Sequence, residues 1–362
     1  MFVRFVAACL FGVLWGQSSQ PAPQAQFEQA ASALQRGDFG AAERLFVSFV
    51  AGQPRHVGGL GNLGVVYSRQ GLPAKAAEVW ERALRLAPGD PGLRTNLGLA
   101  YLRLEEYGKA RGVLETVGSA QGRELFASAL LYGGDAAGAA RVLEGLGPAP
   151  GVIYLRAVCA LKLGRKDEAA GLFGQLVDGA LGADQVAFLR GKAAYETGSF
   201  EEALECLLAV KGTLPGLALE LGKVYVSLRD AEKAEARLRA AVGETPLDAE
   251  ANYFLGALLV QQDRSSEGLV FLQNALRARP SFWGSQFYLG RGLMGVGKAR
   301  EAVAALERAR ALRPEEAQID FQLSKALAAA GRVAESRAAL GRFKAAREKH
   351  REAEREALVL KD

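Results

Sequence analysis

Apolar residues recur three and four places apart along almost the whole chain after residue 26, with polar residues filling the opposite face. That period predicts amphipathic helices. Glycines or glycine–polar pairs interrupt it regularly, at Gly37-Asp38, Gly71, Gly164, Gly198-Ser199 and Gly331. A glycine there ends one helix and lets the chain turn into the next. Prolines at Pro54, Pro88, Pro215, Pro246, Pro280 and Pro314 mark a second kind of stop, since proline cannot continue a helix. The chain therefore reads as many short helices in pairs.

The pairs repeat. Residues 57–90 and 283–316 are both 34 long and align without a gap: Leu63-Gly64 with Leu289-Gly290, Gly71 with Gly297, Ala76 with Ala302, Ala83 with Ala309, and Pro88 with Pro314. Ten such units begin near residues 23, 57, 91, 120, 150, 184, 215, 249, 283 and 317. Each has a small residue at its eighth place, among them Gly64, Gly98, Gly191, Gly222, Gly256 and Gly290, and a second small one twelve places later, such as Ala76, Ala203 and Ala302. A large residue at the twenty-fourth place, such as Phe46, Trp80, Phe173 and Leu306, would fill the space between neighbours. Three of the units between residues 91 and 215 are only 29 to 31 long, so the count is least secure there.

This pattern, L-G-x-x-Y, then A, then a large apolar residue, then P, resembles the tetratricopeptide repeat. The resemblance implies an all-α, right-handed solenoid of about ten helix-turn-helix units, in which stacked pairs share one continuous core. It implies an interaction scaffold whose first helices line a concave groove, with the fifth and ninth places of each unit facing a ligand. The fifth places include Phe188, Tyr253, Phe287 and Phe321; the ninth places of the C-terminal half include Lys192, Lys223, Arg291 and Lys325. A row of cations beside aromatics would attract an acidic peptide or partner surface. The asparagine ladder of some relatives is matched only at Asn62 and Asn96.

Residues 290–299 read "GRGLMGVGKA", which comes within one letter of a nucleotide-binding P-loop. Residue 299 is Ala where the magnesium-binding hydroxyl would be, and the preceding stretch is helical rather than a strand, so the motif is a repeat turn. With only His56 and His350, no H-E-x-x-H, no C-x-x-C and no G-x-S-x-G, neither a metal site nor a catalytic triad can be assembled. No enzyme activity and no cofactor are expected. Cys159 and Cys206 read as buried apolar side chains. The formal net charge of +5 is too mild for a dedicated nucleic-acid binder.

The N-terminus carries one charge, Arg4, and then an apolar run over residues 5–16 followed by small residues, which suits a signal peptide over residues 1–18. Retention of that segment as a membrane anchor is the alternative. A third reading, acylation at Cys9, has little apolar sequence ahead of it. Residues 19–26 read as a flexible leader, 27–341 as the solenoid and 342–362 as a charged capping helix. The whole describes an exported, periplasmic or extracellular scaffold. The second functional reading is an accessory factor in envelope or exopolysaccharide assembly that binds an anionic ligand.

Overall fold

The structure, a computed structural model, describes residues 23–179 and 181–359. Twenty α-helices and no strand occur among them. They fall into ten antiparallel pairs. The N-terminal pairs are α1 (Pro23–Gln35) with α2 (Phe39–Gly52), α3 (Val57–Arg69) with α4 (Pro73–Leu86), and α5 (Pro91–Arg103) with α6 (Tyr107–Leu114). Next come α7 (Ala120–Tyr132) with α8 (Ala136–Glu144), α9 (Pro150–Lys162) with α10 (Lys166–Gly179), and α11 (Ala183–Glu196) with α12 (Phe200–Leu208). The last four are α13 (Leu217–Ser227) with α14 (Ala231–Glu244), α15 (Ala249–Gln261) with α16 (Ser265–Ala278), α17 (Trp283–Gly295) with α18 (Ala299–Leu312), and α19 (Ala317–Ala329) with α20 (Val333–Val359). The ten repeats read from the sequence are these ten pairs. The short units are short in their second helices: α6, α8 and α12 have 8, 9 and 9 residues against 14 in α2 or α18.

Each pair turns through one residue of left-handed backbone, and all ten turns have it: seven glycines plus Glu105, Arg229 and Asp263, with φ between +59° and +95°. Gly297 of the P-loop-like stretch is one of them, at φ +76°. Side chains then restart the chain as helix. Asp38, Asp135 and Asp230 accept backbone N–H groups at the starts of second helices, and Asp90, Asp248, Ser119 and His56 do so for first helices. Such caps satisfy N–H groups that the helix itself leaves unpaired.

The small eighth residue exists because the large twenty-fourth one lies on it. A Cβ at Gly64 would run into the Trp80 ring, and one at Gly98 into Leu114. At Gly191, Gly222, Gly256 and Gly290 it would stand 2.5–2.7 Å from Leu207, Leu238, Leu272 and Leu306. Those side chains are fully or almost fully buried, Trp80 at 2% and Leu306 at 0% exposure. Each contributes on the order of 1.5–3 kcal/mol by leaving water.

The first helices of successive units pack against one another all along the array, from α1 on α3 to α17 on α19, while the second helices make no comparable contact. The first helices therefore form the tighter, inner layer and the second helices the outer one. Units far apart also meet. Arg279, just past α16, donates hydrogen bonds to the Arg103 carbonyl and to Glu105 Oε1, at the turn of the third unit.

Two boundaries shift. Helix α1 starts at Pro23, so residues 23–26 of the segment read as a leader are helical. Proline is favoured in a first turn, where its missing N–H removes nothing. Helix α20 runs unbroken over Val333–Val359, so the stretch from 342 is not a separate capping helix but the continuation of the tenth unit's second helix. No proline interrupts it, and Gly341, though followed by Arg342, does not take the left-handed conformation of the turn glycines and lies inside the helix. The signal-peptide reading of 1–18 falls outside the described residues.

Candidate functional site

The inner layer carries every residue the sequence singled out. Asn62 lies on α3, Asn96 on α5, Phe188 and Lys192 on α11, Lys223 on α13, Tyr253 on α15, Phe287 and Arg291 on α17, and Phe321 and Lys325 on α19. The fifth and ninth places are one helical turn apart, so the cation folds back over the ring. Lys192 Nζ sits 5.8 Å from the Phe188 centroid, the Arg291 guanidinium 6.0 Å from Phe287, and Lys325 Nζ 4.6 Å from Phe321. Arg291 is also 5.1 Å from Tyr288. A cation held over a ring is attracted by the ring's negative face and stays oriented.

The cations are not alike. Lys223 is buried, with its ammonium 3.0 Å from Glu220 and 2.9 Å from Glu250, over the Tyr195 ring. Burial alone would lower its pKa, but the two carboxylates outweigh burial and raise it. Lys223 is thus part of a buried ion cluster and not a free cation for an acidic ligand. Lys192 stands 3.8 Å from Glu220 and shares that compensation. Arg291 and Lys325 have no carboxylate partner among the described residues, and Lys325 is exposed. The basic row therefore resolves into a compensated N-terminal half, Lys192 and Lys223, and an uncompensated C-terminal half, Arg291 and Lys325.

Tyr253 takes another role. Its ring packs on Phe254, Phe282 and Tyr288 at 5.0, 4.5 and 6.0 Å, so it is part of an aromatic joint between units eight and nine. Asn62 and Asn96 are half-buried on adjacent inner helices, and no described contact links them to the cations.

Sequence reasoning assigned no role to Glu196, at the end of α11 and near the buried cluster. Burial raises its pKa, against the lowering pull of Lys192, Lys162 and Lys223. The Tyr132 hydroxyl is 3.5 Å from it, and burial followed by the Glu196 charge raises the Tyr132 pKa in turn. A carboxyl whose folded pKa exceeds its unfolded value adds stability below the unfolded value and loses that contribution as pH rises through the folded one. Glu196→Gln should therefore raise the melting temperature at about pH 7 but not at about pH 3. A Gln variant that melts lower than the parent at neutral pH would show that the anion is needed.

A cavity of about 740 Å³ opens beside this cluster, between units two to four and units seven and eight, with Tyr107, Tyr132, Arg103, Asp248, Glu250 and Arg279 on its wall. The sequence held no sign of it, because its two sides are more than a hundred residues apart. Cys159 is buried, which pushes its thiol up to about 11; Cys206, expected to be buried, is only half-buried, and partial burial raises its thiol as well, so neither is activated. Among the described residues no helix is long and apolar enough to cross a membrane.

No curated protein matches the sequence. Among solved structures the chain is similar to "MamA MSR-1 C2", with 21% identity over 46% of this chain and 98% of that one and a TM-score of 0.41. It is similar to "MamA RS-1 ArsTM double mutant" at 18% identity, 47% and 97% coverage and a TM-score of 0.42. For "Crystal structure of MamA protein" the values are 20%, 47% and 94%, and 0.40. Each of these spans under half of the chain and adds a likeness, not an argument. The sequence profile of the tetratricopeptide repeat matches residues 27–91, 62–123, 154–218, 219–281 and 287–350. Those matches cover most of the ten helix pairs, whose small-on-large packing is the physical content of the repeat. The chain belongs to the tetratricopeptide repeat family and is a protein-interaction scaffold.

Proposed function

We propose that the scaffold is non-catalytic and exported, and that it holds an extended acidic segment of a partner protein along the inner face of its last two units. The observation that carries this reading is the pair Arg291 and Lys325. They are cations one repeat apart on adjacent inner helices, each backed by an aromatic ring and neither neutralised by a carboxylate among the described residues. Repeats spaced at one helix pair suit an extended chain, whose side chains can meet successive units.

The test is Arg291→Glu with Lys325→Glu, checked first for unchanged helicity. Binding of a natural partner, or of an acidic peptide, should weaken roughly tenfold at low salt and less at high salt. Unchanged affinity in the folded double variant removes these residues from the site. Lys223 is left out of the test because reversing it would place a third carboxylate in a buried cluster and disturb the fold. Export rests on residues 1–18, and sequencing the mature N-terminus checks it: a cytoplasmic protein that begins at Met1 excludes it.

A further inference from the structure

One side chain bonds the third and eighth units. Arg279 is only 8% exposed, and its guanidinium lies 3.6 Å from the Phe282 ring centroid. Nη1 donates to the Arg103 carbonyl at 3.2 Å and Nη2 to Glu105 Oε1 at 3.1 Å, across 176 and 174 positions of sequence. Its Nε is buried and has no partner among the described residues. A guanidinium offers Nε–H and the neighbouring Nη2–H as a flat fork that fits two oxygens of one carboxylate or phosphate. Glu105 occupies one tine of that fork and leaves the other empty, in a place where an unmade hydrogen bond is expensive.

Glu105 is itself an unusual occupant. Its φ is +59°, in the turn position that seven of the ten units fill with glycine. A side chain is disfavoured there. Arg229 and Asp263 share the conformation, but of the three only Glu105 bonds to a distant unit among the described residues. On the side away from Asp248 and Glu250, the surroundings hold a further cation. A second cavity, of about 560 Å³, adjoins the contact and is bordered by Lys109, Arg111, Arg279 and Arg313 against Glu105 and Glu106. Lys109 is paired with Glu106 at 2.8 Å and Arg313 with Glu315 at 3.3 Å, whereas Arg111 has no partner among the described residues.

We infer that this seam is an oxyanion-binding site: a carboxylate or phosphate group of a ligand displaces Glu105 from Arg279 and takes the Nε–Nη2 fork with both oxygens, while Nη1 keeps its bond to the Arg103 carbonyl. The site is separate from Arg291 and Lys325 and does not depend on the reading of the inner face. Glu105 is its built-in competitor.

Titration calorimetry on the full chain tests it with two probes, pyrophosphate and a tetraglutamate peptide. Glu105→Gln keeps the shape and removes the competing charge, so one probe should bind at least about fivefold tighter than to the parent. The probe that gains names the source, a phosphate-bearing ligand or an acidic peptide. Adding Arg279→Lys keeps the positive charge but not the fork and should abolish the gain. Adding Arg291→Glu and Lys325→Glu instead should leave the gain intact. Thermal melts establish that each variant is folded. Unchanged affinity of Glu105→Gln for both probes, a gain that survives Arg279→Lys, or a gain lost with the inner-face cations overturns the seam as a site.

Discussion

Replacing Lys223 with methionine should destabilise the protein by about 3–5 kcal/mol, because it leaves a buried carboxylate without its cation. Methionine fills much of the space of the lysine stem, so lost packing is a minor part. What is lost is the ammonium held 3.0 Å from Glu220 and 2.9 Å from Glu250. Glu250 is partly exposed and can turn to water, but Glu220 is 6% exposed and cannot. Its remaining cation, Lys192, stands at 3.8 Å and is itself partly solvated. The double change Lys223→Met with Glu220→Gln should recover most of the loss, since neutralising both partners removes the uncompensated charge. Chemical denaturation of the two variants measures the difference. A single variant as stable as the parent would mean that water reaches Glu220 and that the cluster is solvated.

Gly290→Leu should cost on the order of 1–3 kcal/mol by overpacking. Even a bare Cβ there stands 2.5 Å from Leu306 Cγ and 2.9 Å from Cδ2, and Leu306 is fully buried with nowhere to go. Helices α17 and α18 must therefore separate. Coupling in a repeat array runs mainly between neighbours, so the loss of hydrogen-exchange protection should centre on units eight to ten. Equal loss in unit two would contradict a stack of semi-independent pairs.

Most of the fold was legible because a repeat states its own geometry many times over. The small and large residues at the eighth and twenty-fourth places gave the helix contacts, and the turn residues gave the pairing, even in units with shortened second helices. Half of the Lys223 cluster was legible too: Glu220 precedes it by three residues on the same helix, a spacing that brings side chains together. Glu250 was not, since it arrives from the next unit at an angle set by how the pairs stack. The contact of Arg279 with Glu105 was beyond reading altogether. It depends on a small rotation per unit summed over several units, and no local pattern encodes a sum. The same holds for the cavities beside it. The repeat count placed the start of the first unit at residue 23, where α1 begins, but the leader was drawn through to residue 26 because a proline- and glutamine-rich stretch looks like a tether, although proline in a first turn is compatible with helix.

A linear array has two free ends, and its pairs can peel away one after another from either. The bond from Arg279 to the third unit alters that topology. Units three to eight become a closed circuit, in which no pair can come loose without either breaking the clasp or stretching its neighbours. Units one and two, and units nine and ten, hang from the circuit as short tails with one attached side each. The hydrogen bonds of a single guanidinium thus join two turns that lie five units apart along the chain.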